Sequence, residues 1–254
     1  MEILKTPPSH GLLWIKHGYN LIMRSPLHAL SLAMVFMLVL TLAMPIPVGG
    51  LLLAMLLMPV MMAGYMRVCR ALEYSEKVLP RYILAGFESR TAQLVTVGGI
   101  LLVGMLAVSM ITVMLGGEAL NALVSAYQKQ QDANALLEAM LAPGSGMLAS
   151  LLTGLILIFA LMLALQYAPM LIFFDQKTPV EAVKLSFRAS LRNIIPLSVY
   201  SMLMQLLAFA VSVIPLNLGM FIFLPIALTS MYVSYRDIFS EVKKDFEPEV
   251  ASVE

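Results

Sequence analysis

The sequence predicts an all-α membrane protein with six transmembrane helices, and three observations carry that prediction. Hydrophobic residues make up 60% of the 254 residues, charged residues only 12%, and the mean hydropathy is +0.89. Six long segments carry no charge, and fifteen of the sixteen Lys and Arg residues lie on one side of them. Ordinary soluble domains do not combine these values, because they need a charged surface.

Each uncharged segment is long enough, or nearly so, to cross about 30 Å of hydrocarbon as a helix. The segments are Leu27–Met44, Val48–Met66, Ala92–Leu115, Met147–Phe174, Ile194–Ile214 and Leu216–Tyr235. Only Lys129 lies in the connections on the far side. The positive-inside rule therefore predicts a bacterial inner-membrane protein with its N- and C-termini in the cytoplasm. No basic stripe lies away from the membrane-flanking positions, so nothing supports nucleic-acid binding.

Residues 1–236 are predicted to form one integral-membrane domain in which a helix pair recurs three times, at about 8–70, 79–175 and 179–236. Each unit has an amphipathic cytoplasmic stretch, an outgoing helix and a returning helix that contains a proline. The stretches align on a small–aromatic pair followed by arginine: Gly18-Tyr19 with Arg24, Gly86-Phe87 with Arg90, and Ser186-Phe187 with Arg192. The prolines are Pro59, Pro169 and Pro225. The first and third units match closely, whereas the second has a shorter distance between its aromatic residue and its arginine.

The amphipathic stretches are predicted to lie as helices in the cytoplasmic membrane interface. In the first, Leu12, Ile15, Tyr19 and Ile22 share one helical face, with Trp14 and Tyr19 expected at headgroup depth. Thr178 is the predicted N-cap of the third. The cations of these stretches are candidates for contact with lipid headgroups, and the alternative is that they only set the topology. They are Lys16, Arg24, Lys184, Arg188 and Arg192.

Two further segments complete the predicted organisation. Residues 116–146 have helical periodicity interrupted by a polar stretch, which predicts an amphipathic hairpin on the periplasmic side. Residues 237–254 form an acidic cytoplasmic tail, predicted to be mostly disordered because it has little apolar content.

The predicted spans contain prolines and amides but no deeply placed Asp, Glu, Lys, Arg or His. This argues against an ion-coupled transporter and against most intramembrane hydrolases. The kinks expected at Pro59, Pro169 and Pro225 either line a cavity or gate, or only shape the bundle. Gln166 and Gln205 are the most polar deep residues. They are expected to bond helix to helix, and a solute site is the alternative.

No catalytic, cofactor-binding or metal site is predicted from the sequence, and no cofactor. His10, His17 and His28 lie near the N-terminus without neighbouring ligands to complete a metal site. The methionines lie mostly among Leu and Val in the spans, where they are packing residues.

Several motifs resemble a known family. They are Tyr167–Phe174, Ser186-Phe187, Leu191–Asn193, Gly11–Lys16 and Ala85–Phe87. These resemble the BPSS-type family of uncharacterised six-helix inner-membrane proteins of betaproteobacteria, which are similar to YciC-like proteins. The likeness covers roughly residues 11–236. It implies a polytopic inner-membrane protein and brings no activity, substrate or catalytic residue.

The function expected from these features is non-enzymatic: a protein that organises the membrane or interacts with lipids and with membrane-protein partners. The alternative is a passive pathway or transporter for a small neutral or lipid-like solute. A packed interior of Leu and Met favours the first, and a continuous polar passage favours the second.

Reporter fusions test the predicted topology. A reporter after Glu254 should lie in the cytoplasm, and one within residues 128–134 should lie in the periplasm, because the positive charge is concentrated on the first side. Alkaline phosphatase and green fluorescent protein activities measure the two locations. Both fusions on one side would contradict the six-helix topology.

Overall fold

In the computed structural model, the regular elements of the described residues are all helical. The structure describes residues 2–43, 45–47, 49–128, 147–213 and 219–239. The longer helices are α1 (His10–Arg24), α2 (Pro26–Ala43), α3 (Gly49–Glu73), α5 (Thr91–Gln128), α6 (Met147–Leu165), α8 (Pro179–Arg192), α9 (Ile194–Ser212) and α10 (Met220–Ile238). The shorter ones are a 3₁₀ helix (Pro80–Leu84), α4 (Ala85–Glu88) and α7 (Ala168–Phe173). The all-α prediction is confirmed.

Five helical stretches of the described chain are long and apolar enough to cross a membrane. They are Pro26–Ala43, Gly49–Glu73, Thr91–Gly117, Leu148–Phe173 and Ile194–Ser212. More than half (56%) of the most apolar part of α3 is buried in the protein, against 17% to 28% for the other four. Helix α3 is therefore central, and the other four turn most of their apolar surface outward, as helices in contact with lipid do.

The sixth predicted span, Leu216–Tyr235, corresponds to α10, which follows the undescribed residues 214–218. The helix ends with Arg236 and Asp237 inside its last turn. Within its described length, α10 is not among the stretches that meet the length and hydropathy requirements.

The three prolines occupy two kinds of position. Pro59 and Pro225 lie inside α3 and α10 and are buried. Around Pro169, however, the helix is interrupted: α6 ends at Leu165, and α7 begins at Ala168 with the proline in its first turn. A proline is tolerated there because the first-turn N–H groups have no intrahelical acceptor.

The core lies where α3, α7 and α10 meet. Tyr65 and Met66 of α3, Met170 and Leu171 of α7 and Tyr232 of α10 are fully buried. The Tyr65 hydroxyl donates a hydrogen bond of 3.1 Å to the carbonyl oxygen of Ala29, so α2 is tied to the same core.

Each amphipathic element packs closely on a proline-containing segment. Helix α1 packs on α10, the 3₁₀ helix with α4 packs on α3, and α8 packs on α6 and α7. Small residues permit the approach. A Cβ atom on Gly18 would lie 2.6 Å from the Ser230 Oγ, and one on Gly86 would lie 2.1 Å from the Val60 carbonyl oxygen.

Helix α5 extends beyond the predicted span. It is interrupted at Gly117, whose φ of 51° and ψ of −140° are not helical, and then continues to Gln128. The predicted periplasmic hairpin starts at this interruption, but its residues 129–146 lie outside the described part of the chain. Residues 240–254 of the predicted tail lie outside it as well.

Two glycine substitutions test the close packing of α3. Gly64→Ala should destabilise the protein by about 1–3 kcal/mol or more, because the new Cβ would lie 1.9 Å from the backbone oxygen of Ile83. Gly99→Ala is the matched control within α5, where nothing lies within 4 Å. It should be neutral or stabilise by up to about 1 kcal/mol. Thermal unfolding in detergent measures both, and an equal loss in the two variants would contradict the packing.

Candidate functional site

The amphipathic helices and the ends of the proline-containing segments come together at one end of the bundle, here called the basic end. It holds α1, α8 and the C-terminal ends of α3, α7 and α10. Hydrogen bonds tie the segment before α1 to the ends of α8 and α10, far away in the sequence. The Thr6 backbone N–H donates to the Asn193 Oδ1 at 2.8 Å, and the Leu4 N–H donates to the Ile238 carbonyl at 2.9 Å. All five predicted headgroup-contact residues lie on α1 or α8.

Helix α8 begins with a capping box. The Glu181 N–H donates to the Thr178 Oγ1, and the Thr178 N–H donates to the Glu181 carboxylate at 3.2 Å. The predicted N-cap at Thr178 is therefore confirmed. The hydrogen bond from the Thr178 N–H is the main reason that the pKa of Glu181 lies below its usual value. The box satisfies donors at the start of the helix and fixes where α8 begins.

Ser186 joins α8 to the interruption between α6 and α7. Its hydroxyl accepts a hydrogen bond of 3.1 Å from the Tyr167 N–H and donates one of 3.0 Å to the Leu163 carbonyl. These two backbone groups are four residues apart and would bond each other in an unbroken helix. The serine thus replaces the missing bond, and Ser190 donates to the same carbonyl at 3.0 Å.

Lys184, Arg188 and Arg192 form an exposed stripe on α8. Their spacing of four places them on one helical face, and none of them forms a hydrogen bond or ion pair with the described residues. Val180 and Leu191, 59% and 49% exposed, flank the stripe. Cations beside exposed apolar side chains are typical of helices in a membrane interface.

Helix α1 packs on the protein through a face that is offset from the apolar face predicted for the membrane interface. Leu12 and Tyr19 are 57% and 50% exposed, whereas Gly11, Trp14 and Gly18 are buried against α9 and α10. Trp14, which was expected at headgroup depth, is enclosed by protein. Its ring is 1% exposed, packs edge-on against Tyr200, and donates from Nε1 to the Asp237 carboxylate at 2.7 Å.

The two predicted contact residues of α1 differ in their surroundings. Lys16 is exposed and forms no hydrogen bond or ion pair within the described residues. Arg24, also exposed, donates from Nη1 to the carbonyls of Leu72 and Glu73 at 3.2 Å and 2.5 Å. Both carbonyls lie in the last turn of α3, at the negative end of its dipole, so the guanidinium stabilises that helix end.

Three carboxylates at the basic end accept hydrogen bonds from aromatic side chains of other elements. The Tyr232 hydroxyl donates to Glu73 at 2.5 Å, the Tyr235 hydroxyl donates to Asp175, and Trp14 donates to Asp237, which His10 also contacts at 2.6 Å. None of these acids was among the predicted site residues. One signal could have found them, since each acid lies at the end of a proline-containing segment.

The intramembrane polar residues lie apart. Gln166, in the interruption before α7, donates from Nε2 to the Ser190 Oγ at 2.7 Å, so it bonds to another helix as predicted. Gln205 is exposed on α9 and has no hydrogen-bonding partner among the residues that the structure describes. The two amides therefore do not form a common site. Within the described ranges, no three His, Cys, Asp or Glu residues are grouped so as to hold a metal ion.

A curated relative supports the membrane assignment. A probable inner membrane protein of Burkholderia thailandensis, a betaproteobacterium, is 29% identical over 216 residues, which cover 84% of this chain and 78% of the relative. The predicted resemblance to uncharacterised inner-membrane proteins of betaproteobacteria is confirmed by this similarity. No protein-family model matches the chain, and no solved structure matches it. Together with the five apolar helices, this similarity supports a multi-pass inner-membrane protein.

A pair of serine substitutions tests how α8 is held. Ser186→Ala should destabilise the protein by about 1–3 kcal/mol, because the buried Tyr167 N–H loses its acceptor. Ser198→Ala is the control, since the Ser198 hydroxyl bonds only the Ile194 carbonyl of its own helix and is exposed. Its effect should stay within about 0.5 kcal/mol. Unfolding midpoints in detergent give both values. A Ser186→Ala variant as stable as Ser198→Ala would show that the bridge contributes nothing.

Proposed function

We propose that this protein is a non-enzymatic, multi-pass membrane protein that holds anionic lipid headgroups at its basic end and so organises the lipid around it. The observation that carries the proposal is the stripe of Lys184, Arg188 and Arg192 on α8. Recruitment of membrane-protein partners to the same end is an extension of this role.

The stripe suits lipid phosphates because its three cations form no ion pair within the described residues and its surroundings are amphipathic. Each cation near an anionic leaflet contributes about 1 kcal/mol of attraction, and three on one face act together. The exposed Val180 and Leu191 give the same helix apolar contacts at the acyl boundary. Lys16 on α1 has the same character, with Leu12 and Tyr19 exposed beside it.

The rigidity of α8 supports a role beyond setting the topology. The capping box fixes its start, Ser186 and Ser190 fix its middle, and the Asn193 side chain fixes its end. The Asn193 Oδ1 accepts from the Thr6 N–H, and its Nδ2 donates to the Leu4 carbonyl at 2.9 Å. Cations that only had to orient the chain would not require a helix held at three points.

The proposal includes six spans, with α10 as the sixth and both termini in the cytoplasm. Helix α10 is apolar from Met220 to Tyr235 and packs on α2, α3 and α9. Its terminal Arg236 is within 3.7 Å of Glu73 at the end of α3. Because the C-terminal ends of α3 and α10 lie side by side, both helices are expected to end on the same side of the membrane.

The proposal also includes a threefold repeat of helix pairs. Its support is the order of contacts, since each amphipathic element packs on the returning segment of the unit before it. The 3₁₀ helix and α4 pack on α3, α8 packs on α6 and α7, and α1 packs on α10. This order closes into a ring, as expected for three copies of one unit.

Packing around the prolines favours the organising role over the solute pathway. Val60 and Met61, which follow Pro59, are 0% exposed, and so are Thr229 and Ser230, one helical turn after Pro225. Gln166 is bonded to Ser190 rather than to a common site with Gln205. The absence of ionisable residues deep in the predicted spans motivates the non-enzymatic assignment.

Neutralising the stripe tests the proposal. The triple variant Lys184→Gln, Arg188→Gln and Arg192→Gln should insert and fold normally but retain at least about tenfold less anionic lipid, because three attractions of about 1 kcal/mol are lost. Native mass spectrometry of the purified protein counts the retained lipids. The charge-conserving variant Lys184→Arg, Arg188→Lys and Arg192→Lys is the control and should keep them. Equal retention in all three proteins would leave the stripe only a topological role.

A further inference from the structure

A second cluster of cations surrounds a cavity at the basic end, away from α8. The cavity has a volume of about 340 Å³, within the range of small-ligand sites. One wall is the start of α2 with the residues before it, Arg24, Ser25 and His28. The opposite wall is the connection after α3, with Ser75, Glu76 and Lys77. The buried side chains of Leu72 and Val78 also line it.

The connection after α3 adopts a turn that places Lys77 at the cavity. The Glu76 N–H donates to the Ala71 carbonyl at 2.8 Å, and the Ser75 N–H donates to the Leu72 carbonyl at 3.4 Å. Ser75 has a φ of 55°. This is the Schellman arrangement, with a serine at the left-handed position where glycine is usual. The chain reverses there and brings Lys77 opposite Arg24.

The charge of the cavity is net positive. Arg24 donates to the carbonyls of Leu72 and Glu73 and pairs with no carboxylate among the described residues. Lys77 forms no hydrogen bond or ion pair within the described chain. The single acid, Glu76, is paired with Arg67 at 2.8 Å. The C-terminus of α3 would itself repel an anion, but the Arg24 guanidinium lies on its carbonyls and offsets that repulsion.

Hydroxyl and imidazole groups complete the lining. The His28 Nδ1 is 2.9 Å from the Ser25 Oγ, which leaves Nε2 as the imidazole nitrogen without a partner among the described residues. The hydroxyl of Ser75 stands on the opposite wall. The cavity therefore offers the side chains of one arginine and one lysine together with hydroxyl and imidazole groups, and such groups bind phosphate oxygens.

An exposed apolar surface leads away from the cavity along α2. Val35, Leu38 and Leu42 are exposed and share a helical face with His28 at spacings of seven, ten and fourteen. Leu38 and Leu42 are 55% and 66% exposed. An acyl chain can therefore follow α2 into the hydrocarbon while its headgroup stays at the cavity.

We propose that this cavity binds the phosphate group of an anionic glycerophospholipid, with Arg24 and Lys77 on the phosphate and the acyl chains along α2. The inference deepens the proposed function, because it rests on the basic end facing lipid headgroups. The two sites bind lipid differently: the α8 stripe attracts many lipids weakly, whereas the cavity holds one lipid.

Replacing the Lys77 cation and the His28 imidazole tests the site. Lys77→Gln with His28→Gln keeps Arg24 on the end of α3, so the fold is preserved. Phosphatidylglycerol titrated onto the full-length protein and counted by native mass spectrometry should bind about tenfold or more weakly at its first site, because charge-assisted bonds are lost. Lys5→Gln, at an exposed lysine that belongs to neither the stripe nor the cavity lining, is the matched control and should leave the affinity for the first lipid unchanged. First-site affinity equal to that of the wild type in the double variant would overturn the proposal.

Thermal unfolding in lipid-free detergent separates the two sources of phosphate. Stabilisation by phosphatidylglycerol alone, lost in Lys77→Gln with His28→Gln, identifies a lipid site. Saturable stabilisation by inorganic phosphate, lost in the same variant, identifies a site for free phosphate and overturns the lipid assignment. Stabilisation by neither ligand overturns both.

The α8 triple variant distinguishes this inference from the proposed function. Loss of bulk lipid retention with an intact first site would support the stripe independently of the cavity. If the cavity variant alone loses first-site affinity and the triple variant retains as much lipid as the wild type, the result would support the cavity and contradict the stripe.

Discussion

The position of helix α8 depends on the hydroxyl group of Ser186, which takes the place of a backbone hydrogen bond missing between α6 and α7. In hydrocarbon, an unpaired N–H or carbonyl has no water to bond, so an interrupted helix is stable only where protein groups satisfy its broken ends. Ser186 does this for Tyr167 and Leu163, and the interruption in turn fixes α8 against α6 and α7. The orientation of the α8 cations, and hence the surface proposed to meet lipid, follows from this bridge.

The broad architecture could be predicted because hydrocarbon imposes a simple length and polarity requirement. Five predicted spans correspond to helices of the expected length, and Thr178 caps α8 because its spacing to Glu181 is a local property of the sequence. The amide of Gln166 bonds another helix for the reason anticipated: few other partners exist at that depth. These features depend on residues near one another in the sequence or on the solvent.

The buried face of α1 could not be predicted, because apolar residues in a membrane protein face either lipid or protein. Leu12 is exposed while Gly18 is buried, the reverse of the rule for soluble helices. The role of Asp237 also depended on tertiary structure. Its position after Arg236 suggested the start of a tail, yet it lies in α10 and bonds Trp14 and His10 from the other end of the chain. The interruption at Pro169 was missed because a proline at this spacing is compatible with either a kink or a new helix.

The pairing of α1 with α10 has a consequence for how the protein is made. Synthesis produces α1 first and α9 and α10 last, so the face that contains Trp14 and Gly18 has no partner until most of the chain has left the ribosome. The contact between Asp237 and Trp14 is then among the last long-range contacts to form. A chain truncated before α10 would keep its other helices but leave the Trp14 indole without its Asp237 acceptor and the Gly18 surface uncovered. Such a surface is the kind of feature by which quality-control proteases distinguish unfinished membrane proteins from completed ones.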